Sequence, residues 1–174
     1  MRLLVCVGMG LVLGACSKGE TYFIPGSGTL PDCTEAPATN LDGSCWFDTG
    51  VVTIGSVGCS DAEPDDTFQS CALSWFFTQT GNDVTIVVDN EYRIEGRLCG
   101  DQLYLRGGWW LPVEDAGLCT YEEDSAEEVG IQAEGNVLTY NAAAEQLSGV
   151  LSVQGACSGS YDVALTPGGG CFFD

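Results

Sequence analysis

The sequence predicts an all-β protein: an antiparallel up-and-down meander barrel of about eight strands, stapled by disulfides. Three observations lead there. Apolar residues recur with period two in short runs separated by Gly, Asn and Asp. Connections of two or three residues make neighbouring strands antiparallel, because a parallel crossover needs about a dozen residues or more. The 10 cysteines of the chain leave an even set once the two nearest the N-terminus are set aside. Closing the sheet buries one face and hides both edges. A two-sheet β-sandwich is the alternative architecture.

In chain order, Met1-Arg2 precedes an apolar run from Leu3 to Ala15, which ends Leu13-Gly14-Ala15-Cys16. The run is shorter than the ~20 residues that span a bilayer as a helix. A basic start, a short apolar segment and small residues at its end describe a secretory signal. Leu13 to Cys16 resembles the bacterial lipobox, an aliphatic residue and two small ones before a cysteine. That resemblance implies cleavage before Cys16, acylation of Cys16, and a membrane partner held through the lipid. By the same likeness Ser17, not being Asp, implies the outer membrane. Residues 1–15 are therefore expected to be a signal peptide. Residues 16–40, rich in Gly, Pro, Thr and Ser without periodicity, are expected to be a flexible tether, and 41–174 the barrel domain.

Within that domain, Val51 to Ile54 and Ala72 to Thr78 are nearly continuously apolar and predict buried strands. Val84, Ile86 and Val88 alternate with polar neighbours. Tyr92, Ile94, Gly96 and Leu98 point one way while Glu91, Arg93, Glu95 and Arg97 point the other. The same alternation carries Leu103 with Leu105, Val129 with Ile131, Leu147 with Leu151 and Val153, and Tyr161 with Val163 and Leu165. Gly81-Asn82-Asp83, Asp89-Asn90, Gly100-Asp101 and Gly135-Asn136 are each expected to join two strands. Gly96 and Gly149 sit inside strands, where a barrel bends sharply. Gly81-Asn82 and Gly96 find counterparts in Gly135-Asn136 and Gly149, which suggests an internal repeat of two barrel halves. Gly43-Ser44-Cys45-Trp46 resembles the opening of lipocalin-like (calycin) domains, with two residues between Gly and Trp where that family has one. The resemblance implies a barrel whose floor is plugged by Trp46.

Cys33, Cys45, Cys59, Cys71, Cys99, Cys119, Cys157 and Cys171 are the disulfide candidates of an exported chain. No C-x-x-C pair is present. Sequential pairing (33–45, 59–71, 99–119, 157–171) would close short loops, each worth roughly 3 kcal/mol. Exchange of the partners of Cys33 and Cys171 is the alternative, since chain ends often meet.

Composition excludes more functions than it identifies. The chain has no histidine, so Ser-His-Asp and Cys-His catalysis and His-bound zinc are ruled out. With Lys+Arg 5 against Asp+Glu 25, the net charge of −20 argues against nucleic acid. Lys18 is the single lysine and lies beside the anchor, which removes Schiff-base and Ser-Lys schemes. The expectation is a protein that is not an enzyme and needs no cofactor, with a binding or structural role. Trp75, Phe77, Trp109 and Trp110 are the candidates to line a cavity for a small apolar ligand or to meet a protein partner. Adjacent strand residues face opposite ways, so Trp109 and Trp110 cannot both point inward. Two acidic segments stand out, Asp61-Ala62-Glu63-Pro64-Asp65-Asp66 and Glu114 to Glu128. Asp61, Glu63, Asp65 and Asp66 could hold Ca²⁺ through their oxygens, though without EF-hand spacing, and solvated loops are the plainer reading.

Overall fold

The computed structural model describes residues 28–48, 74–88, 92–112, 126–155 and 159–171, together with strands Val51–Ile54 and Thr67–Gln69. The strands are β1 (Cys45–Asp48), β2 (Val51–Ile54), β3 (Thr67–Gln69), β4 (Ser74–Thr80), β5 (Asp83–Val88), β6 (Tyr92–Cys99), β7 (Gln102–Pro112), β8 (Ala126–Ile131), β9 (Val137–Asn141), β10 (Gln146–Gly155) and β11 (Gly159–Pro167). No helix occurs among the described residues. The eleven segments form one antiparallel sheet that closes into a barrel, since β11 pairs with β10 on one side and with β1 and β2 on the other.

Eleven segments make only eight staves, because three staves are each built from two segments. β1 and β2 keep one register along β11, with Trp46 opposite Pro167 and Ile54 opposite Gly159. β4 and β3 pair with β1 and β2 as one stave whose register slips by one residue between them, Trp46 lying opposite Trp75 and Val52 opposite Phe68. β8 and β9 both lie between β7 and β10. Order around the wall follows order along the chain, so the up-and-down barrel holds and the sandwich alternative falls.

One expected turn is corrected. Gly135-Asn136 does not join two neighbouring strands; it interrupts one stave. Gly107 faces Ile131 and Tyr104 faces Val137, so three steps along β7 match six along the other stave. The surplus residues bulge out between β8 and β9, and Gly135 takes φ +81° there, a conformation that favours glycine. The expected repeat of two barrel halves fails for the same reason. Gly81-Asn82 turns the chain at the end of the barrel, whereas Gly135-Asn136 lies within the wall. Gly100-Asp101 does join β6 to β7, and Asp89-Asn90 lies outside the described residues.

Inward positions alternate as the period-two pattern requires. Trp46, Trp75, Phe77, Val84, Ile86, Val88, Ile94, Leu98, Leu103, Leu105, Ile131, Leu138, Leu147, Leu151, Tyr161, Val163 and Leu165 form one core with Leu41. Fully burying a side chain of this size stabilises by ~1.5–3 kcal/mol before chain entropy is subtracted. The interior glycines make room for this packing. A Cβ on Gly96 would lie 3.0 Å from Leu103 Cδ1 and 3.1 Å from Leu105 Cδ2, and one on Gly149 would collide with the Val137 carbonyl oxygen.

We call the end bearing the β4–β5, β6–β7 and β9–β10 connections the floor, and the opposite end the rim. Residues 28–40, grouped by composition with the tether, are bound to the wall and floor. Cys33 is joined to Cys99 at the end of β6 (Cα–Cα 5.1 Å), and Cys45 to Cys171 (Cα–Cα 5.4 Å). The sequential pairs 33–45, 99–119 and 157–171 are therefore corrected. The exchange alternative is met at Cys171 alone, which takes Cys45 because the segment after β11 returns beside β1; Cys33 instead takes Cys99, since the segment before β1 crosses the floor to the end of β6. Cys59, Cys71, Cys119 and Cys157 lie outside the described residues, as does the expected pair between the first two.

Candidate functional site

The floor is built outward from Trp46. Gly43, at φ +69°, turns the chain into β1 while its N–H donates to the Phe77 carbonyl (2.9 Å). Trp46 is thereby set against the ring edges of Phe77 (6.2 Å between centroids) and Tyr140 (6.4 Å), and its indole N–H donates to Ser44 Oγ (2.8 Å). Trp75 stacks on Phe77 at 6.5 Å. Trp75 and Phe77 are both fully buried, so these two ligand candidates are brought together and spent on filling the floor. Aromatic pairs in such edge and stacked arrangements add about 0.5–1.5 kcal/mol each beyond the area they bury.

Above this layer lies a polar pair that the pattern of apolar residues did not single out. Asp48 follows Trp46 on the inward phase of β1 and is fully buried. It accepts a hydrogen bond from the Tyr161 hydroxyl and another from the Ala164 N–H (3.0 Å). Tyr161 is 1% exposed. Sealed from solvent, this carboxylate ties the first stave to the last, where the barrel closes. The signal available in the sequence was an acid in phase with a tryptophan, since an inward acid must find donors.

Asn136, 1% exposed, is the second buried polar side chain among the described residues. Its amide donates to the Gln132 carbonyl (2.8 Å) and its oxygen accepts from the Ser152 N–H, while its own carbonyl accepts from Leu105 N–H (3.0 Å). One residue thus re-supplies the hydrogen bonds that the stave break removes on both sides.

On the outer wall, Arg93, Arg97 and Arg106 all stand on β6 and β7. Arg106 donates to Glu95 through two nitrogens (3.0 and 2.8 Å), Arg97 pairs with Asp83 (2.9 Å), and Arg93 approaches Glu95 at 3.8 Å. Arg97 and Arg106 also reach the preceding segment. Arg97 Nη1 donates to the Pro31 carbonyl (3.1 Å) and Arg106 Nη1 to the Gly28 carbonyl (3.0 Å). Further along, Asn82 donates to the Glu35 carbonyl (2.9 Å), Ala38 N–H donates to the Gly100 carbonyl (2.7 Å), and Leu41 N–H donates to Gln79 Oε1 (2.8 Å). Residues 28–40 therefore form a strap running from the wall to the floor.

Trp109 and Trp110 lie on the half of β7 that approaches the rim, their backbones opposite Val129 and Glu128, and their side chains lie outside the described residues. Cys16, Asp61, Glu63, Asp65 and Asp66 also lie outside them. Among the described residues no three His, Cys, Asp or Glu side chains group as a metal site would need. No protein-family model, curated protein or solved structure matches the chain.

Proposed function

We propose that the protein is a lipid-anchored cell-envelope binding module without catalytic activity, which meets a basic protein partner at the rim while the strapped floor serves as its foundation. The observation that carries this reading is the filled floor. Trp75 and Phe77, the aromatics best placed for a cavity, are fully buried against their neighbours. That packing favours contact through the outside over carriage within. The lipobox-like Leu13-Gly14-Ala15-Cys16 supports the anchor. The connections leaving the rim after Ile54 and Pro112 carry Asp61, Glu63, Asp65, Asp66, Glu114 and Asp115, which suits a basic surface. A small apolar ligand held nearer the rim is the competing reading, supported by barrel closure itself.

Native mass spectrometry of the purified mature protein, followed by cross-linking in the envelope, separates the two. A bare protein mass is expected, together with a cross-linked basic partner that dissociates as salt is raised and is lost in Trp109→Ala/Trp110→Ala. A stoichiometric apolar small molecule would overturn the module reading in favour of the carrier.

A further inference from the structure

The two disulfides do different work. Cys45–Cys171 joins the start of the first stave to the end of the last, and beside it Gly168 N–H donates to the Cys45 carbonyl (2.9 Å). Cys33–Cys99 joins the strap to β6 and closes no part of the barrel, since the strap contributes no strand to the sheet. We propose that Cys33–Cys99 is a releasable latch. Opening it frees residues 28–40 from the wall and lengthens the link between barrel and membrane anchor, while Cys45–Cys171 keeps the barrel closed. The change in reach rests on the lipid-anchor reading above; the release of the strap does not.

Little besides the latch holds the strap. Of residues 28–40 only Leu30 is buried, at 8% exposure. The remaining attachments are hydrogen bonds to carbonyls and one ion pair, Arg97 with Asp32 at 3.5 Å, whose carboxylate is fully exposed. Solvent-exposed bonds and pairs return little free energy. Each residue held in place forfeits backbone freedom. Once the covalent tie is cut, the ordered strap loses its main support.

Release also has a natural stop. Leu41 is fully buried in the barrel core, and Gly43 is bonded to Phe77, so fraying from residue 28 ends at Leu41. Access separates the two bonds by one cysteine. Cys33, Cys99 and Cys171 are each half-buried and Cys45 is 6% exposed, so the latch alone has both of its cysteines within partial reach of solvent.

The opening step is thiol–disulfide exchange with a dithiol. One thiolate of the dithiol attacks a sulfur of the latch, forming a mixed disulfide and expelling the other cysteine as a thiolate. The second thiol of the reagent then displaces the remaining cysteine. Two electrons pass to the latch, the dithiol leaves as a disulfide, and the protein keeps two thiols. With the latch closed, residues 17–27 separate the anchor cysteine from the strap, a contour length of at most roughly 40 Å; opened, residues 17–40 separate it from the barrel, at most roughly 80 Å.

The test uses the full mature protein in phospholipid vesicles containing a dansyl lipid, titrated with dithiothreitol. Alkylation and mass spectrometry should find Cys33 and Cys99 modified before Cys45 and Cys171. Hydrogen exchange at Ala38 should accelerate at least tenfold while Ile86 and Leu105 keep their protection. Energy transfer from the barrel tryptophans to the dansyl lipid should fall. Cys33→Ser/Cys99→Ser should show the same exchange and transfer without reductant; if it fails to fold, the wild-type titration decides alone. Opening of Cys45–Cys171 first, or an Ala38 amide still protected after the latch is open, would overturn the proposal. Faster exchange with unchanged transfer in a vesicle-bound protein would overturn the change in reach. Faster exchange in a protein the vesicles do not retain would leave the latch standing and sink the lipid-anchor reading.

Discussion

Asn136 offers the sharpest test of how this barrel tolerates a broken stave. Its side chain is buried and makes two hydrogen bonds, one donated to the Gln132 carbonyl and one accepted from the Ser152 N–H. Asn136→Ala deletes both. Each neutral hydrogen bond contributes about 1 kcal/mol net, and a buried group left unpaired costs about 1–3 kcal/mol. Ser152 is exposed, so water can reach part of the vacated site, which places the expected loss at about 2–3 kcal/mol. For a chain of this length that lowers Tm by about 4–12 °C. Asn136→Asp keeps the acceptor facing Ser152 but sets a second oxygen against the Gln132 carbonyl. Burial beside that carbonyl raises the pKa of the introduced carboxyl above its unfolded value. Its penalty is therefore full at neutral pH and shrinks as pH falls through the raised value, where the protonated group donates to Gln132. Urea denaturation of the oxidised protein, followed by circular dichroism at several pH values, reads both variants. An Asn136→Ala variant within about 0.5 kcal/mol of wild type, the range of an ordinary surface substitution, would refute the claim that this side chain repairs the break.

Three further outcomes follow from the same geometry. Peptide mapping without reduction should recover Cys33 linked to Cys99 and Cys45 linked to Cys171, and Cys45→Ala/Cys171→Ala should lose about 5 kcal/mol in urea melts, given a separation of 126 residues in the chain-entropy estimate. Gly149→Ala drives a Cβ into the Val137 carbonyl and should lose about 1–3 kcal/mol, whereas Gly169→Ala, with nothing within 4 Å, should stay within about 0.5 kcal/mol. Tyr161→Phe removes the hydroxyl that Asp48 accepts from and should lower stability by about 1–3 kcal/mol in the same assay, without altering the barrel signature in far-ultraviolet circular dichroism.

Much of the barrel could be read from residue alternation, and the reason is local. Val84, Ile86 and Val88 declare an inward face within six residues, and the tight turns at Gly81-Asn82 and Gly100-Asp101 dictate which strand comes next. At Gly135-Asn136 local chemistry and tertiary placement part company. The dipeptide has the chemistry of a turn, and only its neighbours on β7 and β10 reveal that both flanking segments belong to one stave. The strap was hidden for a similar reason. Residues 28–40 have a linker's composition because they attach through carbonyls and a disulfide, and a carbonyl leaves no trace in residue identity. Asp48 was overlooked because an alternation of apolar residues passes over a carboxylate, although its phase with Trp46 places it inside.

The placement of the arginines ties these features together. In a chain with 25 acidic residues and 5 basic ones, mutual repulsion works against compactness, and cations spread over the surface would relieve it most evenly. Three of the five, Arg93, Arg97 and Arg106, are instead gathered on two adjacent strands. Arg93 and Arg106 meet Glu95, Arg97 meets Asp83, and Arg97 and Arg106 extend to carbonyls of the strap. Staves on the far side avoid the problem differently, since β10 runs from Gln146 to Gly155 without a charge. Charge is thus admitted to the wall chiefly where the strap must be held, and the acids are left largely to the connections and the strap. A surface arranged for solubility alone would have no reason to place Arg97 and Arg106 within reach of Pro31 and Gly28. The arrangement is understandable if the strap has to lie along this wall for as long as Cys33–Cys99 stays closed.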